Sequence, residues 1–246
     1  MLHLIVGHFG SGKTEIALNE ALHMAGWQGS NDLDTLTMQH QPLPQSSAMP
    51  MSVLVDLDII NPMFRSTRAA PLLAANGVRL VHSPFALSSV DMPVVTREVA
   101  GALQSPLPVV VDVGGDDIGA VVLGQFAAQI QTIGYKMSYV INARRPFSGD
   151  AAQVTAMLQR IQQVSRLEVR ELYNNTHMME ETTLEELLDG QALCESVADT
   201  FEVPVTRAYA CRQALLDAAG AHEVFARFVA QGGMFMQLQR LLRLPW

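Results

Sequence analysis

Short apolar runs alternate along this chain with longer stretches in which apolar residues recur every three or four positions. The runs 2–6, 52–56, 78–82, 108–112, 137–142, 169–176 and 203–209 read as strands. Between them, Thr14 to Ala25 reads as a helix with Ile16, Ala17, Ala21, Leu22 and Met24 on its apolar side. Further helices are predicted over 94–103 and 119–132, and from a cap at Ser148 or Asp150 to about Arg166. Thr182, three residues ahead of Glu185, has the spacing of a capping box. Pro204 marks 203–209 as an edge strand, and the tail from His222 reads as helix broken at Gly232-Gly233. Glycine, proline, serine and asparagine punctuate 27–51, which reads as a mobile inserted loop. Alternating strands and helices in 246 residues fit an α/β domain, here 1–215, with a helical tail, 216–246, packed on the domain or on a partner subunit.

The first strand runs into Gly7-His8-Phe9-Gly10-Ser11-Gly12-Lys13-Thr14, which has the phosphate-binding spacing of Gly, four residues, then Gly-Lys-Thr. Strand, glycine loop and helix is the setting that motif requires. Glycines let backbone amides turn inward toward phosphate oxygens, at a helix N-terminus that already favours anions. In that setting Lys13 reaches the β- and γ-phosphates, and the Thr14 hydroxyl holds Mg²⁺.

Two later apolar runs end in carboxylates. Asp56 and Asp58 follow the second strand, and alternate residues of extended chain point the same way. Asp112 closes the fourth, and Asp112 to Gly115 has the form Asp-x-x-Gly, whose glycine amide can meet a γ-phosphate. Carboxylates beside phosphates repel them unless a cation intervenes. Mg²⁺ on Thr14, Asp58 and Asp112 resolves that, with Asp56 or Asp58 orienting a water. Asp116 and Asp117 read as a helix cap. Asn174 and Asn175 end the sixth strand with amides able to pair with both edges of adenine, and the guanine-reading Asn-Lys-x-Asp pattern is absent.

Composition narrows the picture. A net charge of -8 and a pI near 5.3 speak against a nucleic-acid surface. Cys194 and Cys211 stand far apart and outside any Cys-x-x-Cys pair, so they read as free thiols. No apolar run nears the roughly 20 residues that cross a membrane, and two arginines in the last turns make a weak membrane anchor. A working loop at the very N-terminus predicts a cytoplasmic protein.

Together these stretches resemble the MinD/ParA branch of the SIMIBI class of P-loop NTPases, which includes CobQ/CobB-type nucleotide-binding domains. Residues 7–15, 56–66, 112–120, 145–147, 174–176 and 180–183 are more closely similar to a bacterial ATP-binding subgroup of it. The resemblance implies a mostly parallel central sheet flanked by helices, Mg²⁺ and ATP as ligands, slow ATPase activity and nucleotide-dependent dimers. It implies phosphate contacts at Gly10 to Thr14, Mg²⁺ and water contacts at Thr14, Asp56, Asp58 and Asp112, and an adenine contact at Asn174 or Asn175. The branch carries a signature lysine where this chain has His8, which is shorter and less charged. Arg65, Arg68 and Arg145 are the candidate replacements. A binding module gated by nucleotide and serving a protein partner, and a small-molecule kinase, are the alternative readings.

Overall fold

A computed structural model describes residues 1–27, 49–58, 66–82, 97–115 and 117–242, with the backbone alone for 117 and 118. Most of the 27–51 loop, Arg65 and Asp116 lie outside the described residues.

The wholly apolar strands dictate the layering. A strand such as β1 (Leu2–Gly7), buried at every position, needs cover on both faces. The same holds for β2 (Ser52–Leu57) and β4 (Val109–Val113), whereas β3 (Val78–His82) alternates between buried and exposed positions. With β5 (Tyr135–Ile141), β6 (Glu171–Asn174), β7 (Val205–Ala210) and β8 (Met234–Gln237) they form one sheet in the order β3-β2-β4-β1-β5-β6-β7-β8. Every pairing is parallel.

One face is covered by α1 (Lys13–Met24) and α2 (Ala70–Ala75), through Ile16, Leu18, Leu22 and Leu73 against Ile5, Leu54, Val110 and Val140. The other carries α3 (Arg97–Leu103), α4 (Asp117–Gln125), α5 (Ala127–Ile133), α6 (Ala151–Ser165) and α7 (Leu184–Phe201), packed on Leu4, Val55, Val111 and Tyr139. Next to α7, α8 (Gln213–Gly220) and α9 (Glu223–Ala230) bury Leu215, Ala219, Phe225 and Phe228 against β7. This is a doubly wound α/β fold. Its chain runs outward from β1 to β3 and then returns to the other side of β1, so the loop after β1 opens at a topological switch point.

Several sequence expectations need correction. The single helix over 119–132 is two, parted at Phe126. The capping box lies one residue later: Thr183 accepts from the Glu186 amide, and the Glu186 carboxylate accepts from the Thr183 amide. The strand 203–209 is no edge. Pro204 precedes it, and β8 pairs along its far side. Among the described residues the tail is not helical beyond the Gly232-Gly233 break, since Met234–Gln237 is strand. Asp150 is the cap of α6, accepting from the Gln153 amide at 2.9 Å.

Candidate functional site

A wholly parallel sheet sends all its C-terminal strand ends to one rim. The residues that follow β1, β2, β5, β6, β7 and β8 meet there around a cavity of about 380 Å³. Gly10, Gly12, Lys13, Thr14, Asp58 and Arg145 line one part of it. His177, Met179, Cys211, Leu238 and Leu242 line another.

The glycine loop leads from β1 directly into α1, with Gly10 and Gly12 both at positive φ. Gly12 caps α1 at φ +89°, in the left-handed region that favours glycine. A Cβ there would also clash with the Asn175 side-chain amide nitrogen. Asn175 is buried and donates to the Ser11 carbonyl at 2.7 Å, so it braces the loop from β6. Arg145 braces it from β5, its Nε donating to the Gly10 carbonyl at 3.1 Å. Of the candidate replacement cations, Arg145 is therefore at the loop, whereas Arg68 is an exposed residue of the turn before α2. His8 leans on Phe147, with ring centroids 6.0 Å apart. Phe9 and Phe147 are exposed, at 58% and 70%.

Behind the loop, the end of β4 closes up against it. A Cβ on Gly115 would lie 2.8 Å from Lys13 Nζ and 2.7 Å from the Phe9 amide nitrogen. The Asp-x-x-Gly glycine thus sits where the motif lysine ends, and any side chain would push the two apart. Lys13 is itself buried, with 5% of its surface exposed.

The carboxylates divide into two roles. Asp56 and Asp112 occupy the same register position on paired strands. Asp112 is buried, and among the described residues neither of its oxygens has a hydrogen bond of ordinary geometry, although the Thr14 hydroxyl acts on it. Burial, then repulsion from Asp56, pushes its carboxyl up to about 8, against the pull of Lys13 and Thr14. Asp56 is raised as well, chiefly by burial, although it accepts from the Ser66 hydroxyl and from the Asp58 amide at 3.0 Å. Two buried carboxylates on adjacent strands, beside a lysine and a threonine hydroxyl, form a hard-oxygen donor set, which suits Mg²⁺. Asp58 lines the cavity itself.

Asn174 is not available to a ligand. It is fully buried, donates to the Leu187 carbonyl and Gln191, and accepts from the Thr176 amide. Of the two candidate asparagines, only Asn175 lines the cavity.

Sequence reading missed the far wall: His177, Met179, Glu180, Cys211, Leu238, Arg240 and Leu242. Their signal was position, just beyond predicted strand ends, and the strand leading to the last three was not foreseen. It also missed a second buried constellation. His3 Nε2 lies 2.7 Å from Ser138 Oγ, which donates to Glu171, and Glu20 faces His3 Nδ1 at 3.8 Å. This has the connectivity of a nucleophilic triad, but Ser138 has no exposed surface, so no substrate reaches it.

Fold and site together define an open parallel α/β protein with a glycine loop at its switch point. No protein-family model matches the sequence, and no curated protein matches it. Among solved structures it is similar to a nucleotide-binding protein from Archaeoglobus fulgidus in complex with ADP, at 12% identity and a TM-score of 0.47, over 89% of this chain and 84% of that one.

Proposed function

We propose that this chain is a P-loop ATP-binding protein of the SIMIBI class, in its MinD/ParA branch, that hydrolyses Mg²⁺-ATP slowly and acts as a nucleotide-dependent switch. The observation that carries the reading is the convergence of Gly12, Lys13, Thr14 and Gly115 on one loop, with the Asp112 carboxyl buried behind it beside Lys13 and Thr14. A sheet end so built needs an anion in front of the lysine and a cation against the aspartate.

Each residue then has a task. Amides of residues 10–14 and the Lys13 ammonium hold the phosphates. Thr14, Asp112 and Asp58 would hold Mg²⁺, which would supply positive charge against the phosphates when bound. Asp56 is committed to Ser66 and to the Asp58 amide, so it fixes the loop on which Asp58 stands. Asp58 faces the cavity and is the group that orients the attacking water. Arg145 supplies a fixed positive charge at the loop, where the branch uses its signature lysine. Adenine lies beside Asn175, toward the apolar wall. The proposal extends to nucleotide-dependent dimers, in which exposed Phe9 and Phe147 beside His8 form the apolar rim that a second copy covers.

Phosphate release from purified protein tests hydrolysis. Slow release from ATP is expected with Mg²⁺, and Asp58→Ala lowers it by about 100-fold while ATP binding persists. Tight binding with no release, in wild type as in the variant, supports the nucleotide-gated binding module instead. Release or transfer that appears only with an added acceptor supports the kinase reading.

A further inference from the structure

The last described residues, 238–242, continue from β8 outside helix and strand and are tied to the first helix. The Leu238 amide donates to the Ala210 carbonyl at 2.9 Å, which carries the β7–β8 pairing one step past the end of β8. Beyond it, two side chains of α1 take over the role of a neighbouring strand. Asn19 pairs with residue 239 in both directions, donating to the Gln239 carbonyl at 2.8 Å and accepting from its amide at 3.2 Å. The two carboxylate oxygens of Glu15 accept from the Leu241 and Leu242 amides, at 3.0 and 2.8 Å. Glu15 and Asn19 are four residues apart and so lie on one face of the helix. Glu15 directly follows Thr14 of the glycine loop.

Leu238, Arg240 and Leu242 all line the cavity, opposite Met179, Cys211 and His177. Leu242 is also buried in the α1 core. The strap is held to the helix that begins at the phosphate loop, and it puts two leucines and a guanidinium on the cavity wall.

We propose that residues 238–242 are a ligand-recognition element for the nucleoside half of the bound nucleotide, and that Glu15 and Asn19 hold it in register with the phosphate loop. The inference rests on the nucleotide-binding reading above. Leu238 and Leu242 give the base an apolar face, and Arg240 gives its polar edge or the ribose a donor. A bare polyphosphate uses the loop and not the strap.

Calorimetric titration of the full chain with Mg²⁺-ATP, Mg²⁺-ADP and Mg²⁺-tripolyphosphate tests this, on wild type, Leu238→Ala, Arg240→Ala and Asn19→Ala. Each substitution is expected to weaken ATP and ADP by about 10-fold and to leave tripolyphosphate within about twofold. Arg240 is exposed, so Arg240→Ala retains the fold even where Leu238→Ala does not. Hydrogen exchange at the Leu241 and Leu242 amides gives a second readout: ATP slows it and tripolyphosphate does not. ATP affinity unchanged in all three variants, with wild type binding ATP, overturns the strap and leaves the nucleotide reading standing. Equal losses of ATP and tripolyphosphate also overturn it, because the strap then acts only through the shape of the loop. A wild type that binds none of the three ligands overturns the nucleotide reading itself.

Discussion

Gly12 and Asp112 hold the site's most constrained positions. Gly12 combines a left-handed backbone with direct contact to Asn175, so Gly12→Ala meets both strain and a clash. A loss of about 2 kcal/mol in a urea melt is expected, together with loss of nucleotide binding. Asn175→Ala removes only the brace on the Ser11 carbonyl and should weaken binding with a smaller loss of stability. Asp112→Asn acts in the opposite sense. It replaces a carboxyl that must take up a proton to enter a dry site beside Asp56, so at neutral pH the ligand-free protein should melt at a higher temperature than wild type. The same variant should lose the gain in melting temperature that wild type shows on adding Mg²⁺ and ATP. A drop in melting temperature without ligand would show that the pull of Lys13 and Thr14 on Asp112 outweighs the cost of its burial.

At the scale of elements, β1, β5, β6, β7 and α1 share a buried polar cluster beneath the site. Glu171 on β6 takes hydrogen bonds from Ser138 and Thr206 and an ion pair from Lys136, and it is held below the usual carboxylate range by those partners although burial opposes this. Glu20 on α1 pairs with Arg207. His3, among Glu20, Glu171, Lys136, Arg207 and Tyr173, is driven down to about 3, chiefly by burial. A histidine whose folded pKa is depressed contributes stability above its unfolded value near 6.5 and loses it as pH falls from there toward 3. Glu15 and Asp112, both raised, work the other way, favouring the fold as pH falls. The comparison must therefore be with a variant. Between pH 7.5 and 5, wild type should lose about 2 kcal/mol more stability than His3→Gln in parallel urea melts. Equal losses would show that His3 is charged in the fold.

Elements also show what sequence can and cannot convey. The strands of the sheet centre were legible because burial on both faces leaves unbroken apolar runs such as Val109–Val111. β8 was not, because Met-Phe-Met-Gln between Gly233 and Leu238 suits a helix or a strand equally, and only pairing with β7 decides it. Missing β8 made β7 look like an edge. The break at Phe126 was hidden by apolar spacing that continues through both helices. The capping box slipped by one because Thr182 and Thr183 stand in tandem before Glu185 and Glu186, and the pattern alone fits both.

For the whole molecule, the parallel topology explains why the candidate site was half legible. Residues 7–14, Asp58 and Asp112 belong to motifs with fixed spacing, so they could be named from the chain alone. Met179, Cys211, Leu238 and Arg240 carry no motif; they share a cavity only because every strand points to the same rim. Asn174 and Asn175 could not be told apart by type. Neighbouring strand positions face opposite ways, and that sends one into the α7 contact and the other to the loop. The same topology links the two ends of the chain, since Glu15 near the start holds Leu241 and Leu242 near the finish.

The central claim is that the loop over Lys13 and Gly115 holds a nucleotide phosphate with Mg²⁺. The most direct measurement is calorimetric titration of ATP into wild-type protein and Lys13→Ala, each with Mg²⁺ and with a chelator. Saturable ATP binding that depends on Mg²⁺, is stronger than GTP binding and weakens by at least about 100-fold in Lys13→Ala is the predicted result. Binding that survives Lys13→Ala unchanged, or a wild-type protein that takes up no nucleotide, contradicts it.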